Sequence, residues 1–237
     1  MLINKDLLVS NAKELGVELS DEAVGRFDML AQLLIEQNKV MNLTAITEPD
    51  EVVIKHFIDS ISLFSAVNPE KGAKILDLGT GAGFPGIPLL ITRPDINLTM
   101  VDSTAKKLAY VASAVEKLGL EAETLHARAE EAGKNPNYRE QYNIVCSRAV
   151  AALNVLCEYC LPFVKVGGVF VAMKSAKAEE EIALAKNAIK TLGGEIIEKK
   201  TFTLSDGGER NLIIIKKISQ TPPKYPRVSA QIAKKAL

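Results

Sequence analysis

Between Ala73 and Gly86 the chain reads Ala-Lys-Ile-Leu-Asp-Leu-Gly-Thr-Gly-Ala-Gly-Phe-Pro-Gly. Ile75, Leu76 and Leu78 predict a short buried strand, and four glycines come after it within eight residues. The pattern predicts strand, tight turn and helix start, with a backbone that a ligand can approach closely. Two fingerprints overlap here. Gly81-x-Gly83-x-x-Gly86 fits the dinucleotide pattern, and Asp77-x-Gly79-x-Gly81-x-Gly83 fits the first motif of S-adenosylmethionine-dependent methyltransferases. A pyrophosphate uses free N–H groups and the positive end of a helix. Asp77 would repel it, and suits a cationic ligand end such as the ammonium of a methionine moiety. The bland alternative is a turn that holds nothing.

Residues beyond the turn narrow the choice. From Lys74 strands and helices alternate, the sign of a largely parallel α/β sheet. A second strand, Leu98–Asp102, ends in an acid 25 residues after Asp77. A carboxylate there can accept both ribose hydroxyls of an adenosine-containing ligand, or it can cap the next helix, as can Ser103 or Thr104. A third strand over 122–125 leads to Ala129 and Glu130, which could frame an adenine or simply start a helix. A fourth strand, Tyr142–Arg148, delivers Arg148 to the rim where ligands lie in open α/β sheets; a surface ion pair is the alternative. A fifth, Val169–Lys174, brings Lys174 to the same rim. Strands at 196–204 and 212–218 are close enough for an antiparallel hairpin. Seven strands ending in such a hairpin favour the methyltransferase arrangement over the dinucleotide fold.

Upstream, residues 4–15 predict one helix, and Ser20 caps a second that runs to about Asn38 through Val24, Phe27, Leu30, Ala31 and Leu34. Asn42-Leu43-Thr44 reads as a connector. Thr47 is placed to cap a third helix, with Pro49 in its first turn. There Val53, Phe57, Ile61 and Phe64 share one face, which sets Lys55, His56 and Asp59 opposite. Those three residues form a solvated face or the wall of a cleft, and periodicity alone favours the solvated face.

The 237 residues carry no net charge, which argues against a nucleic-acid binder, but the charge is uneven. Residues 216–237 hold six cations, Lys216, Lys217, Lys224, Arg227, Lys234 and Lys235, and no acid. This is either a solvated tail or a phosphate-binding one. No apolar run is long enough to span a membrane, and no secretory signal opens the chain, so a cytoplasmic protein is expected. Cys157-x-x-Cys160 lacks a second pair and falls on an apolar helix face with Leu153, Leu156 and Leu161. The three cysteines therefore read as core residues, and no metal site is expected.

Asn38–Ile46, Lys55-His56-Phe57-Ile58-Asp59-Ser60 and Asp77–Leu89 together resemble the bacterial small-subunit (16S) ribosomal RNA guanine-N7 methyltransferases, the glucose-inhibited division protein B family. Val101-Asp102-Ser103, Arg128-Ala129-Glu130 and Ser147-Arg148-Ala149 extend the resemblance to nearly the whole chain. It implies a class I S-adenosylmethionine-dependent methyltransferase, a Rossmann-like seven-stranded sheet with an N-terminal helical cap. The cap would span 1–66, the methyltransferase domain 67–218 and a basic tail 219–237. Gly79, Phe84, Asp102, Ser103, Thr104, Ala129, Glu130 and Arg148 would line the cofactor pocket, beside Asp77, Gly81 and Gly83 from the motif itself. The partner implied is 16S ribosomal RNA or a small-subunit particle, the enzyme acting as a monomer. Tyr225-Pro226-Arg227 fits the family's tail, but Val228–Ala233 lacks its usual Gly and later Pro.

Guanine N7 has a free lone pair and can take a methyl group directly, so no general base is required. Lys55, Asp59 and Arg148 are the candidates near the chemistry. Lys55, Arg148, Lys174, Lys224, Arg227, Lys234 and Lys235 are the candidates to hold RNA phosphates. A small-molecule methyltransferase shares every cofactor feature, an NAD(P)-linked oxidoreductase shares the glycines, and a non-enzymatic RNA binder shares the basic tail.

Overall fold

The computed structural model describes residues 2–237. Helices α1 (Lys5–Glu14) and α2 (Asp21–Met41) start on side-chain caps, Asn4 accepting the Leu7 N–H and Ser20 the Ala23 N–H, each at 3.1 Å. Helix α2 ends at Asn42, whose left-handed backbone (φ 47°) an asparagine tolerates. Its apolar stripe is buried as predicted, and Phe27 meets Phe57 with ring centroids 5.0 Å apart. Burying each such ring contributes about 1.5–3 kcal/mol.

The third helix is not the uniform one expected. Glu48, not Thr47, precedes its first turn, and no side chain caps it. Helix α3 (Pro49–Val52) widens into a π-helical stretch, Val53–Ile58, before α4 (Asp59–Ile61) and a 3₁₀ turn, Ser62–Ser65. A π turn takes more residues than an α turn, so the 100° count that put Asp59 on the outer face fails across it. Asp59 is buried instead.

The sheet has seven strands, β1 (Lys74–Leu78), β2 (Asn97–Asp102), β3 (Glu123–His126), β4 (Tyr142–Arg148), β5 (Val164–Lys174), β6 (Gly194–Thr203) and β7 (Glu209–Lys217). Their order is β3-β2-β1-β4-β5-β7-β6. The first five are parallel; β7 runs antiparallel to β5 and β6, the expected hairpin. Strand β5 is longer than predicted because pairing continues through Gly167-Gly168, with a register shift between Tyr142 and Ile144 of β4. Helices α5 (Gly86–Thr92), α6 (Ala105–Lys117), α7 (Ala129–Ala132), α8 (Leu153–Cys160) and α9 (Ala178–Thr191) connect the strands.

Strand alternation sends Ile75 to one face and Leu76 and Leu78 to the other. The first face shares a continuous core with α1, α2 and the segment after Pro49, so the N-terminal helices are built onto the sheet. The second packs on α8 and α9, with Cys157 and Cys160 buried in it as predicted. Chain order reverses about β1, which pairs with β2 on one side and β4 on the other. That switch point opens a crevice at the strands' carboxyl ends.

Residues 219–237 are not a free tail. Thr221, Tyr225 and Ile232 are buried. The Arg139 guanidinium donates to the carbonyls of Gly133, Thr221 and Tyr225 at 2.7–2.9 Å. Lys217 is fully buried and donates to the Leu161 carbonyl (2.6 Å) and to Thr221 Oγ1 (2.5 Å); burial lowers its pKa to about 8. A short helix, α10 (Ser229–Lys234), lies near the chain end.

Candidate active site

The glycine turn is held from both sides. The N–H groups of Gly79 and Thr80 donate to the Val101 carbonyl at 2.8 and 3.1 Å, tying the turn to the end of β2. Asp102 completes the tie: Oδ2 accepts the Gly81 N–H (2.9 Å) and Oδ1 the Thr104 N–H (2.8 Å). Only glycine fits at Gly79, where φ is +74° and a Cβ would lie 2.5 Å from Val150 Cγ2. At Gly86 a Cβ would lie 2.7 Å from Met100 Sδ and 2.8 Å from Asp77 Oδ2, so helix α5 packs backbone to strand.

Asp77 lies under this turn. It is fully buried and accepts the Gly86 N–H at 2.9 Å, while Oδ1 has no partner. Burial raises its pKa to about 6, against the pull of Thr80 and the Gly86 N–H. It does not line the cavity above, so the expected contact with a ligand ammonium is not formed by this arrangement; its visible task is to anchor the start of α5.

That cavity holds about 580 Å³ over the carboxyl ends of β1, β2 and β4. Gly79, Gly81, Phe84, Asp102, Ser103, Thr104, Ala129, Glu130 and Arg148 all line it, and Gly83 does not. Glu130, nine-tenths buried as a residue, lines the cavity, and its carboxylate takes no hydrogen bond from the described residues. A second cavity of about 410 Å³ adjoins the first. His56, Arg148 and Ala149 belong to both, and Lys55, Asp59, Lys174, Glu181 and Arg210 line the second.

The junction is densely bonded. The His56 imidazole stacks on Phe84, centroids 4.5 Å apart and planes 7° off parallel, and Arg148 lies 5.3 Å from the same ring centre. Arg148 Nη1 donates to Asp59 Oδ2 (2.8 Å) and the Lys55 carbonyl (3.2 Å). Asp59 Oδ1 takes Arg210 Nε at 3.0 Å. Lys55, His56 and Asp59 are therefore a cleft wall and not the solvated face that periodicity favoured. Burial first, then the Arg148 charge, lowers the His56 pKa to about 3, so the ring is neutral.

Besides Arg148, which is held by Asp59, two expected phosphate holders are engaged internally. Arg227 makes Nε and Nη2 bonds of 2.8 and 2.6 Å to the fully buried Glu158. Lys174 donates to Glu181 (2.7 Å) and the Ala151 carbonyl (2.5 Å). Lys55 pairs with Glu51 at 2.6 Å, Lys224 lies 5.2 Å from the Tyr225 ring centre, and Lys234 and Lys235 are exposed. Sequence reasoning missed Thr44, Val150, Tyr159, Arg210 and Ser229, all of which line the two cavities. Thr44 stood inside the segment that carries the family resemblance; the others gave no signal.

Residues 24–213 match the family described as GidB, rRNA small subunit methyltransferase G. The ribosomal RNA small subunit methyltransferase G of Pelotomaculum thermopropionicum is 49% identical over 232 residues, 96% of each chain. The chain belongs to the rRNA small subunit methyltransferase G family. Solved methyltransferase structures share the fold of this chain. A SAM-dependent methyltransferase from Aquifex aeolicus matches with TM-score 0.54 at 17% identity, covering 73% of this chain and 96% of that one. TYW2 from M. jannaschii, solved with AdoMet, matches with TM-score 0.51 at 14% identity, covering 63% and 71%. Among the described residues no helix is long and apolar enough to cross a membrane.

Proposed function

We propose that the chain methylates N7 of an unpaired guanine in 16S ribosomal RNA, using S-adenosylmethionine held in the first cavity. The observation that carries the reading is the pair of adjoining cavities sharing His56 and Arg148, one floored by the glycine turn and Asp102. The residues fit the cofactor. Asp102 keeps lone pairs beyond its two backbone bonds, as ribose hydroxyls require, and Glu130 offers a carboxylate with no protein partner to an adenine amine. When bound, the cofactor would supply an electrophilic sulfonium methyl group; the guanine N7 lone pair would take it as the S–CH3 bond breaks and the thioether S-adenosylhomocysteine leaves, so no general base is needed.

The chain's own contribution is then alignment, which can be worth about 7–11 kcal/mol. Phe84 and Arg148 brace His56, and Asp59 braces Arg148, at the wall between the cavities. In paired A-form RNA the N7 edge lies in a groove too deep and narrow for side chains, which is why the target is unpaired. Lys224, Lys234 and Lys235 are the cations left to meet RNA phosphates.

Two measurements test this. Asp102→Ala should abolish S-adenosylmethionine binding by calorimetry; retained affinity would make the ribose assignment wrong. Wild-type protein with radiolabelled cofactor should label small-subunit RNA or particles and leave metabolite pools unlabelled. Label in a metabolite would support a small-molecule methyltransferase instead.

A further inference from the structure

His56 and Thr44 form a hydrogen-bonded couple whose proton positions can be assigned from their neighbours. Arg148 Nη2 faces His56 Nδ1 at 3.4 Å, and a guanidinium can only donate. Nδ1 is therefore the accepting nitrogen, and in the neutral ring Nε2 carries the hydrogen. Nε2 lies 2.9 Å from Thr44 Oγ1 and donates to it. The Ile46 N–H donates to the same oxygen at 3.0 Å. A hydroxyl has two lone pairs and one hydrogen. Both lone pairs of Thr44 are taken, and its hydrogen has no acceptor among the described residues. Thr44 lines the first cavity, one hydrogen bond from the His56 wall that the two cavities share. The structure thus presents, at the junction, a hydroxyl that can give a hydrogen bond and cannot receive one.

Such a group sorts purines. On its N7 edge guanine shows two acceptors, N7 and O6, whereas adenine shows the N7 acceptor beside a 6-amino donor. We propose that Thr44 selects the acceptor base, donating to guanine O6 while N7 is held for methyl transfer, and rejecting adenine because two donors would meet. The inference rests on the reading that the acceptor is a guanine. Arg148 is the positioning residue that sets this polarity, by forcing the His56 hydrogen onto the side facing Thr44.

The test is a cycle of enzyme and substrate changes. The methylated guanine is first mapped with wild-type enzyme. It is then replaced in a synthetic transcript by 2-aminopurine, which keeps N7 and lacks O6, or by adenine. Wild type should lose about tenfold to a hundredfold in kcat/KM on 2-aminopurine, the loss expected when a buried donor is left unpaired. Thr44→Val should methylate guanine and 2-aminopurine equally slowly, and Thr44→Ser should restore the preference. Equal penalties for losing O6 in wild type and Thr44→Val would overturn the proposal, because damage to folding alone does not erase a substrate preference. A weaker Kd of Thr44→Val for S-adenosylhomocysteine, with base preference intact, would also overturn it and give the hydroxyl to the cofactor's carboxylate. If wild type labels no guanine at all, the acceptor reading itself fails, a distinct result.

Discussion

A buried carboxylate with one empty oxygen is a cost that the pH can reveal. Asp77 carries a pKa of about 6 against an ordinary 3.8, because burial disfavours its charged form. Its folded pKa lies above the unfolded one, so between pH 4 and 6 the folded chain binds more protons. Stability contributed by this residue is then greatest below pH 4 and falls as pH rises to 6, by up to about 3 kcal/mol. Asparagine keeps the acceptor for the Gly86 N–H and cannot ionise. Urea unfolding at pH 4.5 and pH 7 should show wild type losing more stability over that interval than Asp77→Asn. Parallel pH profiles for the two proteins would refute the assignment.

At the scale of elements, the C-terminal segment behaves as a wall of the first cavity. Glu158 on α8 holds Arg227, two residues before Ser229, while Tyr159 beside Glu158 faces the same space. Removing one partner of a buried pair strands the other and costs about 3–5 kcal/mol. Arg227→Gln should therefore lower Tm and weaken cofactor binding, and leave the salt dependence of RNA binding unaltered. Lys224→Gln, Lys234→Gln and Lys235→Gln together should do the reverse, with a flatter salt slope and a nearly constant Tm. A flatter slope in Arg227→Gln would return that residue to the RNA-binding set. The segment's composition suggested six equivalent cations. Which of them are already neutralised depends on acids such as Glu158 and Glu140, far away in the chain.

Across the whole molecule, what the sequence made legible was what depends on near neighbours. Strand β4 was read to its ends because an apolar run stands between polar turns, and the glycine turn and Asp102 declared the crevice by their spacing. The π-helical stretch was illegible, since nothing in Val53–Ile58 distinguishes it from an α-helix until it packs. The Asp59–Arg210 contact joins residues 151 apart, beyond any local pattern. Thr44 was read as a connector because a single hydroxyl has no periodicity; its polarity is imposed by His56 and Arg148.

The sheet's two edges bear on how concentrated this protein can become. An edge strand is a template on which another chain can add. Strand β3 spans only Glu123–His126, too short to recruit much. The other edge, β6, is ten residues long but exposes Glu195, Glu198 and Lys199. A second copy laid against it would have to strip water from those charges. Replacing Glu198 and Lys199 with valine should leave the fold intact and raise light scattering at high concentration. Scattering equal to wild type would mean that something other than edge charge keeps the copies apart.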